Sequence, residues 1–231
     1  MSPTTGASMN HWQNEFPQAQ GLLYLNHAAV APWPQRTHDA VCRFAAENLQ
    51  HGARHYPRWM QQEKQLREQL RRLINAPSSD DIALLKNTSE GLSVIAAGLD
   101  WQPGDQVVIS NQEFPSNRIP WLALAEQGVS VVEVDLSGAD PEQSLIDAMG
   151  PRTRLLAISS VQYGSGLCME LARLGEACRQ RQVLFCVDAI QSLGVLPMDV
   201  GEIEADFVVA DGHKWMLGPE GLALFYCRAA L

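Results

Sequence analysis

Ala210-Asp211-Gly212-His213-Lys214-Trp215 is the stretch that decides the fold. The residues leading into it, Asp206-Phe207-Val208-Val209-Ala210, are apolar but for one acid. So short a run predicts a buried strand over 206–210 rather than a helix. It empties into a small polar turn that presents a lysine. Gly218, Pro219 and Gly221 follow, and then Leu222-Ala223-Leu224-Phe225-Tyr226 predicts a second strand. A lysine held between two buried strands costs free energy unless it has a partner or a task. Desolvation makes it easier for the amine to lose its charge and act as a nucleophile or Schiff-base former.

Working outward, the same pattern recurs. Val183-Leu184-Phe185-Cys186-Val187 predicts a strand that delivers Asp188 at its end, with Gln191 three residues on. The run 155–159 predicts a strand ending near the glycine-broken loop Gln162-Tyr163-Gly164-Ser165-Gly166. Val107-Val108-Ile109 predicts a strand followed by Glu113-Phe114-Pro115-Ser116-Asn117, and 129–134 predicts another. Ile82-Ala83-Leu84-Leu85 predicts a strand that turns through Asn87-Thr88-Ser89 into an apolar helix over 92–99. Further helices are predicted over 34–49, 58–74, 120–127, 141–149 and 171–181. In the second of these, Lys64, Arg67, Arg71 and Arg72 surround an apolar side, a pattern that reads as a solvated face, with a partner surface or a hold on a dianionic ligand as alternatives. Gly21-Leu22-Leu23-Tyr24-Leu25 predicts one more strand, ahead of Asn26-His27-Ala28-Ala29, and residues 1–20 read as a polar lead-in.

Strands alternating with helices through short connections predict an α/β fold: a mainly parallel sheet of the seven-stranded type, sandwiched by helices. Ligands of such sheets bind outside the carboxyl ends of the strands. Thr88, Phe114, Gln162, Asp188 and Lys214 all follow predicted strand ends.

Composition narrows the function. The chain has 231 residues, 46% hydrophobic and 19% charged, which suits one large domain. A net charge of −9 argues against nucleic acid or an anionic membrane as partner. No apolar run approaches the roughly 20 residues that span a bilayer. Cys42, Cys168, Cys178, Cys186 and Cys227 are dispersed, with no CxxC, as expected of a cytoplasmic protein. The six histidines show no metal-ligand spacing, so no metal is expected, and no GxGxxG follows the first strand.

The strand-end residues form a coherent set. Asp188 can pair with a protonated pyridine nitrogen, and Phe114 can lie flat on a ring. Hydroxyls at the Thr88-Ser89 helix start can cap free N–H groups or hold a phosphate. Lys214 can form an imine. These are the parts needed to orient pyridoxal 5'-phosphate. His27, beside the first predicted strand, is a candidate on the substrate side or a structural histidine.

On those motifs the chain resembles the class V aminotransferases, pyridoxal-phosphate enzymes of fold type I that include cysteine desulfurases, selenocysteine lyases, isopenicillin N epimerase and kynureninase. Tyr24-Leu25-Asn26-His27-Ala28-Ala29, Asn87-Thr88-Ser89-Glu90-Gly91, Glu113 to Trp121, Val187 to Ser192 and Gly212-His213-Lys214-Trp215 run in the family's order. The resemblance implies that Lys214 carries the cofactor as a Schiff base and shuttles a proton at the substrate α-carbon. It implies that Asp188 pairs with the pyridine nitrogen and that Gln191 reaches the ring hydroxyl. Thr88, Ser89 and His213 would hold the phosphate, and Phe114 would stack on the ring. His27 and Gln162 would lie on the substrate side. An amino acid as substrate and a homodimer are implied as well.

Three departures stand out. Phe114 falls where the family commonly has a stacking His, and a Phe cannot exchange a proton. That favours an aminotransferase- or epimerase-like member over a cysteine desulfurase. Asp211 falls where many relatives have a phosphate-binding Ser, so its carboxylate is expected to point elsewhere, to a backbone N–H or an arginine. Finally, the chain ends at Leu231, just past the strand that follows the lysine. The expectation is a large cofactor domain over 21–231 with no small C-terminal domain, and a non-catalytic relative is the alternative in another class.

Overall fold

The structure is a computed structural model and describes residues 12–229 and 231. Residues 1–11, most of the predicted lead-in, lie outside the described residues. Seven strands form one sheet: β1 (Ile82–Leu85), β2 (Gln106–Ser110), β3 (Ser130–Val134), β4 (Thr153–Ser159), β5 (Leu184–Asp188), β6 (Phe207–Asp211) and β7 (Ala223–Cys227). Their order is β1-β7-β6-β5-β4-β2-β3. Every pairing is parallel except the two made by β7, which runs antiparallel to β6 and to β1. β1 to β6 therefore share one direction, and their carboxyl ends share one edge.

β7 is reversed because it follows β6 through the 212–222 turn, with no helix to carry the chain back across the sheet. The central strands are buried on both faces: every residue of β6 is buried, and in β4 only Arg154 is not. That accounts for runs that read as continuously apolar rather than alternating.

Helices cover both faces. α1 (Gln35–His51) and α2 (Tyr56–Leu73) precede the sheet. α3 (Thr88–Gly98) follows β1, and α4 (Ile119–Leu122), a single turn continued by a 3-10 stretch, follows β2. α5 (Pro141–Ala148) joins β3 to β4, and α6 (Leu171–Arg181) joins β4 to β5. One core packs α2, α5 and α6 against Val108, Leu156, Ile158, Phe185, Val187 and Val208. The other packs α3 and the α4 region against Val107, Ile109, Leu155, Ala157, Cys186 and Val209. The sequence neighbours Val107/Val108 and Leu155/Leu156 fall in opposite cores, as the two-residue period of a strand requires.

The helix predicted over 171–181 has those bounds, and the others shift by a few residues. The strand predicted over 21–25 does not form. Both outer positions of the sheet belong to β1 and β3, and this run pairs with neither. Instead Leu23 and Leu25 are exposed, and Tyr24 fixes the segment by donating its hydroxyl to the Val30 and Asn26 carbonyls (2.5 and 3.2 Å). α1 contributes no buried residue, although it is amphipathic.

Candidate active site

The shared carboxyl edge opens into a cleft of about 600 Å³, lined by parts of β5, β6, the β1–α3 turn and the β2–α4 connection. Lys214, Asp188, Asp211, His213, Thr88 and Phe114 all line it, together with Ser89 and Gln191. A crevice of similar size lies at the opposite end of the strands, around Cys178, Asp206 and Arg228. There Asp206 is paired with Arg228 and with the Phe185 N–H, and Glu204 with Arg179, so of these groups only Glu204 Oε2 is left without a hydrogen bond.

Lys214 sits in the β6–β7 turn with its Nζ 6.0 Å from the centre of the Phe114 ring. Partial burial lowers its pKa from the ordinary lysine value, while Asp188 and Asp211 act in the opposite direction. Phe114 is braced edge-on by Tyr163, with ring centres 5.1 Å apart. Gly194, at φ 103°, makes room for the lysine turn: a Cβ there would lie 2.5 Å from the Trp215 carbonyl oxygen.

Asp188 ends β5 and is 2% exposed. Burial pushes its carboxyl up to about 7, with Glu113 adding to the rise; the Ile190 N–H, 3.1 Å from Oδ1, and Lys214 oppose it. A buried acid with so little compensation lacks a cationic donor. Thr88 Oγ1 and His213 Nδ1 are likewise buried and hydrogen-bonded to nothing. His213 Nδ1 lies 3.0 Å from Asp211 Oδ1, within ion-pair distance, but the angles do not make a hydrogen bond.

At the start of α3, Asn87 caps the helix by accepting from the Glu90 N–H (2.8 Å). The N–H groups of Thr88 and Ser89 occupy the first turn, where a helix supplies no acceptor of its own. Ser89 Oγ lies 2.7 Å from Ser116 Oγ. An N-terminal helical turn with a buried, unused hydroxyl suits an anion. An uncompensated acid at one end and a helix start at the other, with a lysine and an aromatic face nearby, fit pyridoxal phosphate in donor type, with the Asp211 carboxylate in the cleft wall as a group of the wrong charge beside the helix start.

Other predicted residues are placed differently. Gln191 lines the cleft, but its amide donates to the Ala28 carbonyl (3.0 Å) and accepts from Trp215 Nε1 (3.3 Å), tying the 26–31 segment to the lysine turn. His27 stacks on Trp215, with ring centres 5.3 Å apart, and is not among the cleft's lining residues. Gln162 is buried below the cleft and donates to Glu113 Oε1 (2.8 Å). Asp211 meets neither a backbone N–H nor an arginine, contrary to expectation; its Oδ1 is buried at the cleft wall without a hydrogen bond.

Sequence reasoning missed the part played by Glu113. It accepts from Ser110 Oγ (2.9 Å), Asn117 Nδ2 (2.8 Å), Gln162 Nε2 (2.8 Å), and the Ser159 N–H and hydroxyl (3.0 and 2.5 Å). It thereby clamps the ends of β2 and β4 and fixes the backbone next to Phe114. Asn117 in turn accepts from the buried Trp121 indole (3.0 Å). The spacing of Glu113, Asn117 and Trp121, four residues apart each time, was the available signal.

Residues 23–231 match the class-V aminotransferase family. The chain belongs to that family. It is 35% identical over 221 residues to a probable cysteine desulfurase of Methanothermobacter thermautotrophicus, covering 93% of this chain and 55% of that protein. Among solved structures, the cysteine desulfurase CsdA of Escherichia coli superposes with a TM-score of 0.85 at 27% identity, over 96% of this chain and 58% of that one. A C-DES mutant with glycine covalently linked to its PLP-cofactor gives 0.88 at 26% identity, over 94% and 60%. The chain thus spans little more than half the length of these class-V relatives.

Proposed function

We propose that residues 21–231 form the cofactor-binding domain of a pyridoxal-phosphate enzyme that acts on an amino acid through a Schiff base on Lys214. The observation that carries this reading is the half-buried Lys214 amine, facing the Phe114 ring in a cleft that also holds the uncompensated Asp188. The bound group would supply an electron sink for breaking a bond at the substrate α-carbon.

The chain's own residues do the rest. Burial enlarges the neutral fraction of Lys214, which favours attack on a carbonyl and lets the amine take up and return a proton at the α-carbon. Asp188 would hold a ring N–H and keep it protonated. Thr88 and Ser89 would hold the phosphate on the α3 dipole, with His213 beside them. Phe114 would stack on the ring and shield the amine from water.

Transamination or epimerisation is favoured over desulfuration by Phe114, which has no proton to exchange. Desulfuration is the second reading, supported by the desulfurase relatives. No cysteine lines the cleft among the described residues, so a sulfur-accepting thiol would have to reach it from elsewhere. In the class-V family reading a homodimer is also proposed.

The test is to add pyridoxal phosphate to the purified chain, record the visible spectrum, reduce with borohydride and map the peptides. A yellow protein whose reduced adduct lies on Lys214 is the expected result. An adduct spread over surface lysines, or none, would overturn the assignment and favour the non-catalytic relative.

A further inference from the structure

The wall of the cleft formed by the start of α3 and the end of β6 carries a charge conflict. α3 presents the positive end of its dipole, and Asp211, 6% exposed, presents Oδ1, which lies 3.0 Å from His213 Nδ1 but at angles that make no hydrogen bond. Thr88, 3% exposed, adds an unused hydroxyl oxygen. Packing brings these groups together. A Cβ at Gly91 would lie 2.5 Å from Val209 Cγ1, so α3 rests directly on β6 at that point. α3 starts at the carboxyl edge and runs away from it, whereas β6 runs toward it. From the Gly91–Val209 contact, three helical residues back to Thr88 cover about 4.5 Å. Two strand residues forward to Asp211 cover roughly 6.6 Å. Both steps lead to the same edge, so the first turn of α3 and Asp211 line one wall of the cleft.

A fully ionised phosphate on that helix start would confront Asp211 across the cleft wall. A phosphate monoester that retains one proton would not: its P–OH donates to Asp211 Oδ1, and its other oxygens accept from the α3 N–H groups and the Thr88 and Ser89 hydroxyls. We propose that Asp211 makes this cleft select the singly protonated form of a phosphate monoester. The inference rests on the phosphate-binding reading given above. The other charged or titratable groups facing Asp211 are His213 and Lys214 on its own turn and Asp188 from β5. From α3, Glu90 is turned back onto the Lys86 N–H (2.6 Å) and Lys86 Nζ (3.9 Å).

Pyridoxamine 5'-phosphate, which has no aldehyde and forms no Schiff base with Lys214, is the probe. Its phosphorus-31 shift reports the ionisation of the phosphate directly. Free phosphate monoesters lose their second proton near pH 6, at about the value for phosphorylated side chains. Bound to the wild-type chain at pH 7.5, the ester should keep the shift of the monoanion. In Asp211→Asn, where an amide donor replaces the carboxylate, the bound ester should show the dianion shift. The affinity of the variant relative to wild type should rise by about tenfold per pH unit between pH 6.5 and 8.5. The ratio cancels ionisations common to both proteins.

A dianion shift in the wild type, or an affinity ratio that does not change with pH, would overturn the proposal. That would be the result if His213 swung its Nδ1–H onto Asp211. A borohydride adduct on Lys214 alongside a wild-type dianion sinks only the selection by Asp211. No binding of the probe at any pH, and no adduct, sinks the cofactor reading with it. If Asp211→Asn does not fold, Asp211→Ser takes its place, and the wild-type spectrum alone can refute the idea.

Discussion

Of the buried carboxylates at the carboxyl edge of this sheet, Glu113 and Asp188 have opposite surroundings. Glu113 is 6% exposed and accepts hydrogen bonds from Ser110, Asn117, Ser159 and Gln162. Asp188 is 2% exposed and receives only the Ile190 N–H among the described contacts. A buried charge is tolerated when its lone pairs are filled and is costly when they are not. The saturated side, at the ends of β2 and β4, is scaffold. The unfilled side, at the ends of β5 and β6, is the side proposed to take the cofactor. Unmet polar atoms mark the proposed site more sharply than cleft size: Thr88, Asp211 and His213 each leave one in this cleft, while the equally large crevice around Asp206 holds only Glu204 Oε2.

The most severe way to test the unfilled side is Lys214→Ala. The borohydride-trapped adduct should vanish, while the urea midpoint should stay close to wild type, because the Lys214 side chain makes no hydrogen bond or ion pair among the described contacts and alanine keeps the carbonyl that accepts from the Leu217 N–H. A mutant that still gave one specific adduct would move the site away from this turn. On the saturated side the outcome reverses. Glu113→Ala strands the Asn117, Gln162 and Ser159 donors in the core and should cost roughly 3–5 kcal/mol by urea denaturation. A loss below about 1 kcal/mol would mean that water fills the gap and that Glu113 is not a clamp.

How much of this contrast could be read from the sequence differs by residue. Asp188 and Lys214 were legible because each ends or follows an unbroken apolar run, and a charge there has few explanations. The sheet was legible for the same reason. The reversal of β7 could be inferred from the short, glycine-rich turn before it, though the apolar runs gave no direction. Glu113 was not legible as a buried group: it sits in Ser110-Asn111-Gln112-Glu113, which reads as solvated loop. Its donors come from positions up to 49 residues away in the chain. Residues 21–25 misled because an apolar run predicts a strand only if a sheet edge is there to pair with it. Which atoms remain unpartnered depends on side-chain angles, and no local pattern encodes those.

A smaller effect comes from pH. The Asp188 carboxyl has an ordinary value of 3.8 and is pushed up to about 7 in the fold. Below about pH 4 it is protonated whether folded or unfolded, and it costs nothing. Between 4 and 7 the folded chain holds a proton that the unfolded chain releases, so stability falls as pH rises; above 7 the full penalty is present. Asp188→Asn should remove that slope. Without cofactor it should be more stable than wild type at pH 8 by about 2–4 kcal/mol, with no difference at pH 4. The same substitution should weaken cofactor binding at least tenfold by equilibrium titration. A wild type and variant with parallel stability profiles would show that Asp188 has partners after all.

The finest test uses two glycines of one helix. A Cβ at Gly98 meets nothing within 4 Å, whereas one at Gly91 would lie 2.5 Å from Val209 Cγ1. Alanine is the better helix former by about 1 kcal/mol, so Gly98→Ala should stabilise slightly or be neutral. Gly91→Ala gains the same propensity but must displace Val209 or lift α3 from β6, at a cost of about 1–3 kcal/mol. The net loss should be about 1 kcal/mol. Because lifting α3 also carries the Thr88 and Ser89 donors away from Asp211, Gly91→Ala should weaken binding of pyridoxamine 5'-phosphate severalfold while Gly98→Ala leaves it unchanged. If the two variants bound the ester alike, the closeness of α3 to β6 would matter for packing alone, and the unfilled side of the cleft would owe its chemistry to the β5 and β6 ends without the helix.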